Sequence, residues 1–496
     1  MTMLKKPKFI SLAWTAMARY GWLYVLLLLG FALAPSCVGD LGTVEVDPAE
    51  PGARIPDDFL GISVEWSRVL DYLGDSTGGV RPTTVTLLRA FEAEEHHVAV
   101  RIGGNSQDRA WWNPQGVTPP PGVTLDLGPA HLSTLAALVE VLHTRLVLGL
   151  NLALGDSVLA ADLVEAVYGT IPREAIQAFE LGNEPDLYRF NGRRGLDYDW
   201  SAYLPDMEAF RDGIAARVSP APPFAAPAIA YRFWLRNLGD LFALERNRLA
   251  LVTTHVYPFT SCANLAPSPE NLLTDCATSR IGARYTPIAA AAHAAGLAHR
   301  MDETNSVSCG GADGVSNAYV AALWGADLAF QLATAGLDGL NFHTPGEYYA
   351  AFLFDPSGAP VVQPLYYGMR FFSLATARHG RLLPVVVATP AHVHAWATLG
   401  EDGAVRVALI NLDLARGGVI SLRLLGRSGV ATLVRLCAPA LDARDGLTLG
   451  GQTWDGSVDG RPLGTAVSEP VAYDTGAYRV PLPALEAVVV TVAPAP

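Results

Sequence analysis

The sequence predicts an α/β chain in two parts: a (β/α)8 TIM barrel and a C-terminal all-β sandwich. Three observations carry this. Between about residues 57 and 345, short apolar runs alternate with helical stretches, the rhythm of a parallel sheet. After Arg378 the texture changes to closely spaced strand-like runs with no long helical period. No G-x-G-x-x-G follows the first run, which argues against a doubly wound dinucleotide fold.

In chain order, the eight candidate barrel strands are 59–66, 97–104, 145–152, 176–182, 223–230, 249–257, 299–304 and 336–343. Helical patterns lie between them, at 83–96, 130–145, 157–168, 201–219, 288–295 and 317–335. Eight such units in one stretch fit a closed barrel. The later strand-like runs are 383–389, 393–398, 405–412, 419–425, 431–436 and 487–492, divided by turn signals such as Glu401-Asp402-Gly403 and Arg416-Gly417-Gly418. A short β-like run at 43–46 is expected to join them. The predicted division is therefore a signal segment at 1–37, a barrel at 55–377, and a sandwich built from 38–54 and 378–496.

Apolar residues make up 50% of the 496 and charged residues 17%, which excludes a disordered chain. The net charge of −13 disfavours nucleic acid and anionic membranes as partners, because phosphate would be repelled. It leaves an anionic sugar open, since a pocket can differ from the mean surface. At the N-terminus Lys5, Lys6, Lys8 and Arg19 precede an apolar run at 22–34. That run is about 13 residues long, short for a membrane span and suited to a signal peptide. Ala34-Pro35-Ser36-Cys37 loosely resembles a lipoprotein cleavage box, making Cys37 a candidate lipid anchor. The expected location is secreted or cell-envelope.

Beyond Cys37, four cysteines remain: Cys262, Cys276, Cys309 and Cys437. An even number in an exported protein suggests disulfides. The first expectation is a local bridge between Cys262 and Cys276, though sequence alone leaves three pairings open. No C-x-x-C pair and no H-x-x-x-H beside acids is present, so neither a metal site nor a cofactor is expected.

In a barrel of this kind, reacting groups sit at the C-terminal ends of strands. Two of those ends carry glutamates with suggestive neighbours: Asn183-Glu184-Pro185 after strand four and Asp302-Glu303-Thr304 in strand seven. Glycoside cleavage needs two carboxyl groups across the scissile bond. One must carry a proton for the leaving oxygen and the other must be ionised at the anomeric carbon. Strands four and seven face each other across a barrel mouth, so Glu184 and Glu303 meet that demand. A lone glutamate at a strand end is more often a cap or a salt-bridge acid; the paired placement shifts the balance. Asp302, by strand alternation, is expected to point away from Glu303. Arg101 is read as a buried ion-pair partner, and Asp186 as a helix cap.

These stretches resemble a known family. FLGISVEW (59–66), RIGGNSQD (101–108), FELGNEPDLY (179–188), HVYP (255–258) and ETNSVSCGGADGVSNAYVAALWGADLAF (303–330) are similar to the heparanase and β-glucuronidase group, glycoside hydrolase family 79. GLTLGGQTWDG (446–456) resembles that family's C-terminal β domain. The resemblance implies that Glu184 is the general acid/base and Glu303 the nucleophile. It further implies that Glu65, Asp108 and Asn183 hold sugar hydroxyls and that Tyr257 lies beside the nucleophile. The loop after Glu303 would read a uronate carboxylate through backbone N–H groups at Gly310 and Gly311, with Tyr348 or Tyr349 adding a hydroxyl. Ser308 stands where a carboxylate-binding tyrosine is usual, which leaves the sugar less well defined than the reaction.

The expected activity is retaining hydrolysis of β-linked uronosides in an oligosaccharide, polysaccharide or glycoconjugate, by a monomer. The alternatives are a β-glucosidase- or xylosidase-like hydrolase of the same clan, and a non-catalytic carbohydrate-binding protein.

Overall fold

The computed structural model describes residues 39–74, 78–262, 267–346 and 348–494. The expected signal segment and Cys37 lie outside the described residues. Eight parallel strands close into a barrel: β1 (Leu60–Glu65), β2 (Ala99–Gly103), β3 (Leu146–Leu150), β4 (Ile176–Leu181), β5 (Phe224–Ile229), β6 (Leu251–Val256), β7 (Ala298–Thr304) and β8 (Gly339–His343). Closure is made by β8 against β1, with Leu340 opposite Leu60 and His343 opposite Ser63. Strands β2, β3 and β8 are buried at every residue, as a sheet covered on both faces requires.

The helices that follow the strands form the outer layer, and their ends are specified locally. Asp156 caps Ser157–Thr170 by accepting from the N–H groups of Val158 and Leu159, and Asp199 does the same for Trp200–Arg217. The helix Tyr319–Thr334 after β7 is buried along nearly its whole length. It packs against both the barrel wall and the second part of the chain.

That second part is one hydrogen-bonded ribbon of strands folded over an apolar core. Its order runs Arg381–Leu383, Val393–Leu399, Val405–Asn411, Ala487–Val492, Ala431–Cys437, Glu469–Asp474, Ala477–Leu482, Gly418–Leu424, Asp40–Val46 and Val385–Ala388. Side chains from both halves, among them Val44, Ile420, Tyr478, Val407 and Val490, meet in that core. Asp40–Val46 lies parallel to Gly418–Leu424 and antiparallel to Val385–Ala388. The hairpin Glu469–Asp474 with Ala477–Leu482 is absent from the sequence reading. Pro470 and Pro481 mask it, while its two-residue turn, Thr475-Gly476, has the positive φ values of a tight hairpin.

The outer face of the ribbon seats on the barrel. Trp396 stacks on Phe330 with ring centres 4.8 Å apart. The backbone N–H groups of Tyr319 and Val320, left free at a helix start, donate to the carbonyls of Ala443 (2.8 Å) and Leu441 (3.0 Å).

The disulfide differs from the expected one. Cys262 pairs with Cys309, with Cα atoms 5.5 Å apart, while Cys276 and Cys437 are free thiols. The cause is tertiary. The loops leaving β6 and β7 run side by side, Phe259–Thr260 pairing with Val307–Ser308, and so bring Cys262 to Cys309. Cys276 instead belongs to the turn Asp275–Ala277, tied to the barrel by the Trp324 indole, which donates to the Ala277 carbonyl.

Candidate active site

The ends of β4 and β7 bring the two glutamates together. One oxygen each of Glu184 and Glu303 and a ring nitrogen of His255 all lie within 4.8 Å of one another. Their side chains are 15% and 9% exposed, so both are reachable yet largely shielded from water. Glu184 sits in the left-handed region at φ 50°, an unusual conformation for a residue with a side chain. Its N–H donates to the Ala228 carbonyl at 2.9 Å, and Pro185 opens the 3-10 turn Pro185–Leu187 directly after it. A strained conformation of this kind costs on the order of 1–3 kcal/mol and persists because its surroundings fix it.

Glu303 is gripped from two sides. The Tyr257 hydroxyl donates to its Oε1 at 2.9 Å, and Arg101 Nη1 donates to its Oε2 at 2.5 Å. Arg101 is wholly buried, and it also donates to Glu180 at 2.6 and 3.0 Å, to Ser63 Oγ at 3.1 Å and to Asn183 Oδ1 at 2.8 Å. Burial alone would raise the Glu303 pKa. The charges of His343, His255 and Arg101, with the Tyr257 hydroxyl, overcome burial and hold the carboxyl well below its usual range. Glu303 is thus kept as an anion.

Glu184 has a different environment. His255 Nδ1 lies 3.1 Å from its Oε1, and His255 Nε2 lies 3.4 Å from Asp302. Burial disfavours charge on His255, but the Glu303 and Asp302 carboxylates outweigh it and hold the imidazole pKa well above normal. Asp302 therefore faces the site, contrary to the alternation expected from sequence. The register of β7 against β6 shifts between Met301 and Glu303, and this irregularity turns two consecutive acids inward. Glu180 completes the buried group: burial pushes its pKa well up, and the Asp302 charge adds to that against the pull of Arg101. The sequence reading missed Glu180, His255 and Asp302 as one network. Its signal was present, since all three lie in the quoted motifs, but their convergence requires the closed barrel.

The other expected site residues fall into three groups. Glu65 accepts from the N–H groups of Asn105 (2.9 Å) and Ser106 (2.7 Å) and from the Ser106 hydroxyl, so its carboxylate braces the loop after β2 at the barrel mouth. Gly104 is required there: at φ +69°, a Cβ would come within 2.5 Å of the Glu65 carboxyl. Asp108 accepts from the Tyr188 hydroxyl at 2.9 Å and from the Asn183 N–H at 3.3 Å, and burial raises its pKa to about 6. It supports the Asn183-Glu184 turn from beneath. Asn183, its Oδ1 engaged by Arg101, keeps its amide N–H groups as the donors on its other side.

The third group lies beyond β7. Ser308 pairs with Thr260, and its carbonyl accepts from the N–H and hydroxyl of Ser261. Cys309, Gly310 and Gly311 follow with three successive positive φ values. The Gly310 carbonyl accepts from the Tyr348 N–H at 2.7 Å, and a Cβ on Gly311 would meet Tyr348 and Tyr349 at 3.0 Å. The glycines thus let this loop close on the segment after β8. Tyr349 enters the site wall, its ring 6.1 Å from that of Tyr257 and 6.0 Å from His343. Asp186 does not cap a helix. It accepts from the N–H groups of Ala230 and Tyr231, tying the β4 and β5 ends together.

Two overlapping groups, Glu184/His255/Glu303 and Glu180/His255/Asp302, have ligand-like spacing. Arg101 already supplies positive charge to both Glu303 and Glu180, which opposes a cation in the same place.

Comparison with known proteins agrees with this geometry. Residues 395–489 match the glycosyl hydrolase family 79 C-terminal beta domain. A β-glucuronidase of Neurospora crassa is 24% identical with 78% of each chain covered, and one of Aspergillus niger is 25% identical with 73% of this chain and 74% of that one covered. The crystal structure of a 4-O-α-L-rhamnosyl-β-D-glucuronidase from Fusarium oxysporum shares the fold, with a TM-score of 0.75 at 23% identity over 92% of this chain and 100% of that one.

Proposed function

We propose that this chain, a glycoside hydrolase of family 79, cleaves β-linked glucuronosides with retention of anomeric configuration, using Glu303 as nucleophile and Glu184 as acid/base. The carrying observation is the short carboxylate separation: their oxygens approach within 4.8 Å. Retaining pairs stand about 5–5.5 Å apart, whereas inverting pairs need about 6.5–9.5 Å to admit a water. The unequal surroundings support the division of roles. Arg101 and Tyr257 keep Glu303 ionised, and neither contacts Glu184.

In the first step a Glu303 oxygen attacks the anomeric carbon as the glycosidic bond breaks, and Glu184 gives its proton to the departing oxygen. In the second, Glu184 takes a proton from water, the hydroxide adds to the anomeric carbon, and the ester bond to Glu303 breaks. Both residues return to their starting states. Asn183 would hold the neighbouring sugar hydroxyl. The positive-φ run Cys309-Gly310-Gly311, beside Tyr348 and Tyr349, would face the uronate carboxylate with backbone N–H groups, as such runs do for anions. The named β-glucuronidase relatives support that choice of sugar. One chain supplies every site residue, which supports action as a monomer.

No helix of the described residues is long and apolar enough to cross a membrane. Export is proposed from the basic and apolar N-terminus, supported by the Cys262–Cys309 disulfide, which needs an oxidising compartment. Mass spectrometry of the mature N-terminus distinguishes plain cleavage from a lipid on Cys37.

The test is an aryl-glycoside panel. The aryl β-glucuronide is expected to turn over well above the β-glucoside, β-xyloside and β-galactoside, with the β-anomer released first by NMR. Glu303→Gln is expected to abolish turnover in a folded protein. Preference for a neutral sugar, or first release of the α-anomer, would overturn the reading.

A further inference from the structure

A second cluster of donors lies away from the catalytic mouth, where the ribbon meets the barrel. Along the strand Val393–Leu399 and the residue before it, alternation sends Val393 and Ala397 into the ribbon's own core. It sends His392, His394 and Trp396 the other way, toward the barrel. There His394 and His392 meet Asp275, which opens the turn Asp275–Ala277 on the barrel.

The distances are informative. His392 Nε2 and His394 Nε2 lie 3.5 and 3.8 Å from the same oxygen, Asp275 Oδ1, and all three atoms lie within 4.8 Å of one another. Both separations exceed a normal N–H···O bond. They approach the donor–donor edge of about 3.3 Å that follows from tetrahedral metal bonds of about 2.0–2.1 Å. The second nitrogen of His394 is also committed: its Nδ1 lies 2.9 Å from Asp327 Oδ1. Asp327 is buried and is held in turn by the Thr278 hydroxyl at 2.5 Å. An imidazole whose Nδ1–H is donated to a carboxylate presents the Nε2 lone pair outward. This is the carboxylate–histidine arrangement that orients a metal ligand. The sequence reading looked for helix-spaced histidines; H-x-H on a strand gives the same one-sided pair at a spacing of two.

We propose that His392, His394 and Asp275 form a site for a divalent transition metal of the zinc class, which staples the β-ribbon to the barrel. Two imidazoles and one carboxylate suit zinc, with the fourth position left to water. Asp327 is its positioning residue. The ligands come from both parts of the chain, so binding favours the docked arrangement over any state in which the two parts separate.

The test uses the full mature chain, stripped with chelator, desalted, and titrated with zinc chloride by calorimetry alongside thermal melts and aryl-glucuronide turnover. The expected result is one zinc per chain, a melting temperature raised by about 2 °C or more, and turnover unchanged. His392→Ala/His394→Ala should lose both uptake and the thermal shift while keeping turnover. Asp327→Asn should weaken zinc affinity about 10- to 100-fold. No zinc uptake by the wild type would overturn the proposal. So would undiminished uptake by the double variant, or uptake that inhibits turnover and is lost instead in Glu184→Gln.

Discussion

Replacing Tyr257 with Phe removes one oxygen from the site and leaves the ring that packs 6.1 Å from Tyr349. The lost contact is the 2.9 Å bond to Glu303 Oε1. Hydrogen bonds to a charged partner contribute about 1.5–3 kcal/mol. If that bond re-forms as the Glu303 carboxylate leaves the glycosyl-enzyme, its loss slows turnover by about 10- to 100-fold. It also acts on ionisation. Tyr257 is one of the groups holding Glu303 below its usual pKa against burial, so without it the carboxyl takes up a proton at a higher pH. The acidic limb of the kcat/KM profile on an aryl β-glucuronide is therefore expected to move up in pH, with the basic limb in place. The assay is that profile for both proteins, with thermal melts to show that folding is preserved. Turnover within twofold of wild type, with an unmoved acidic limb, would refute the assigned role of Tyr257 and weaken that of Glu303.

Other outcomes follow from the same network. Arg101→Ala leaves Glu180, Asp302 and Glu303 without their buried cation, and is expected to lower stability by about 3–5 kcal/mol in urea unfolding, besides abolishing turnover. Asp186 is buried with a pKa raised to about 7, by burial first and by the Glu184 charge second. The folded state therefore binds its proton more tightly than the unfolded chain, and stability declines as pH rises from about 4 to about 7. Asp186→Asn is expected to flatten that decline in melts across the same range. Cys262→Ser/Cys309→Ser opens a link spanning 47 residues and is expected to cost about 2–4 kcal/mol, with KM rising more than kcat falls because the joined loops flank the proposed uronate subsite.

By itself the sequence determined the eight-strand barrel, the following β region and the two facing glutamates. These depend on local hydrophobic period and on chain order, which a linear reading preserves. Elsewhere, features that depend on convergence were decided only in three dimensions. Asp302 joined the site because β7 departs from regular register, and alternation counted along one strand cannot register a slip against its neighbour. Cys262 found Cys309 because the β6 and β7 loops run side by side, although Cys276 is nearer in sequence. Asp186 turned out to join two strand ends, and Arg101 to grip the nucleophile itself. The hairpin holding Pro470 and Pro481 was hidden because local propensity opposes it and tertiary pairing overrides that propensity. His392 and His394 carried no local signal at all. Their meaning depends on Asp275 and Asp327, which the docking of ribbon on barrel brings within reach.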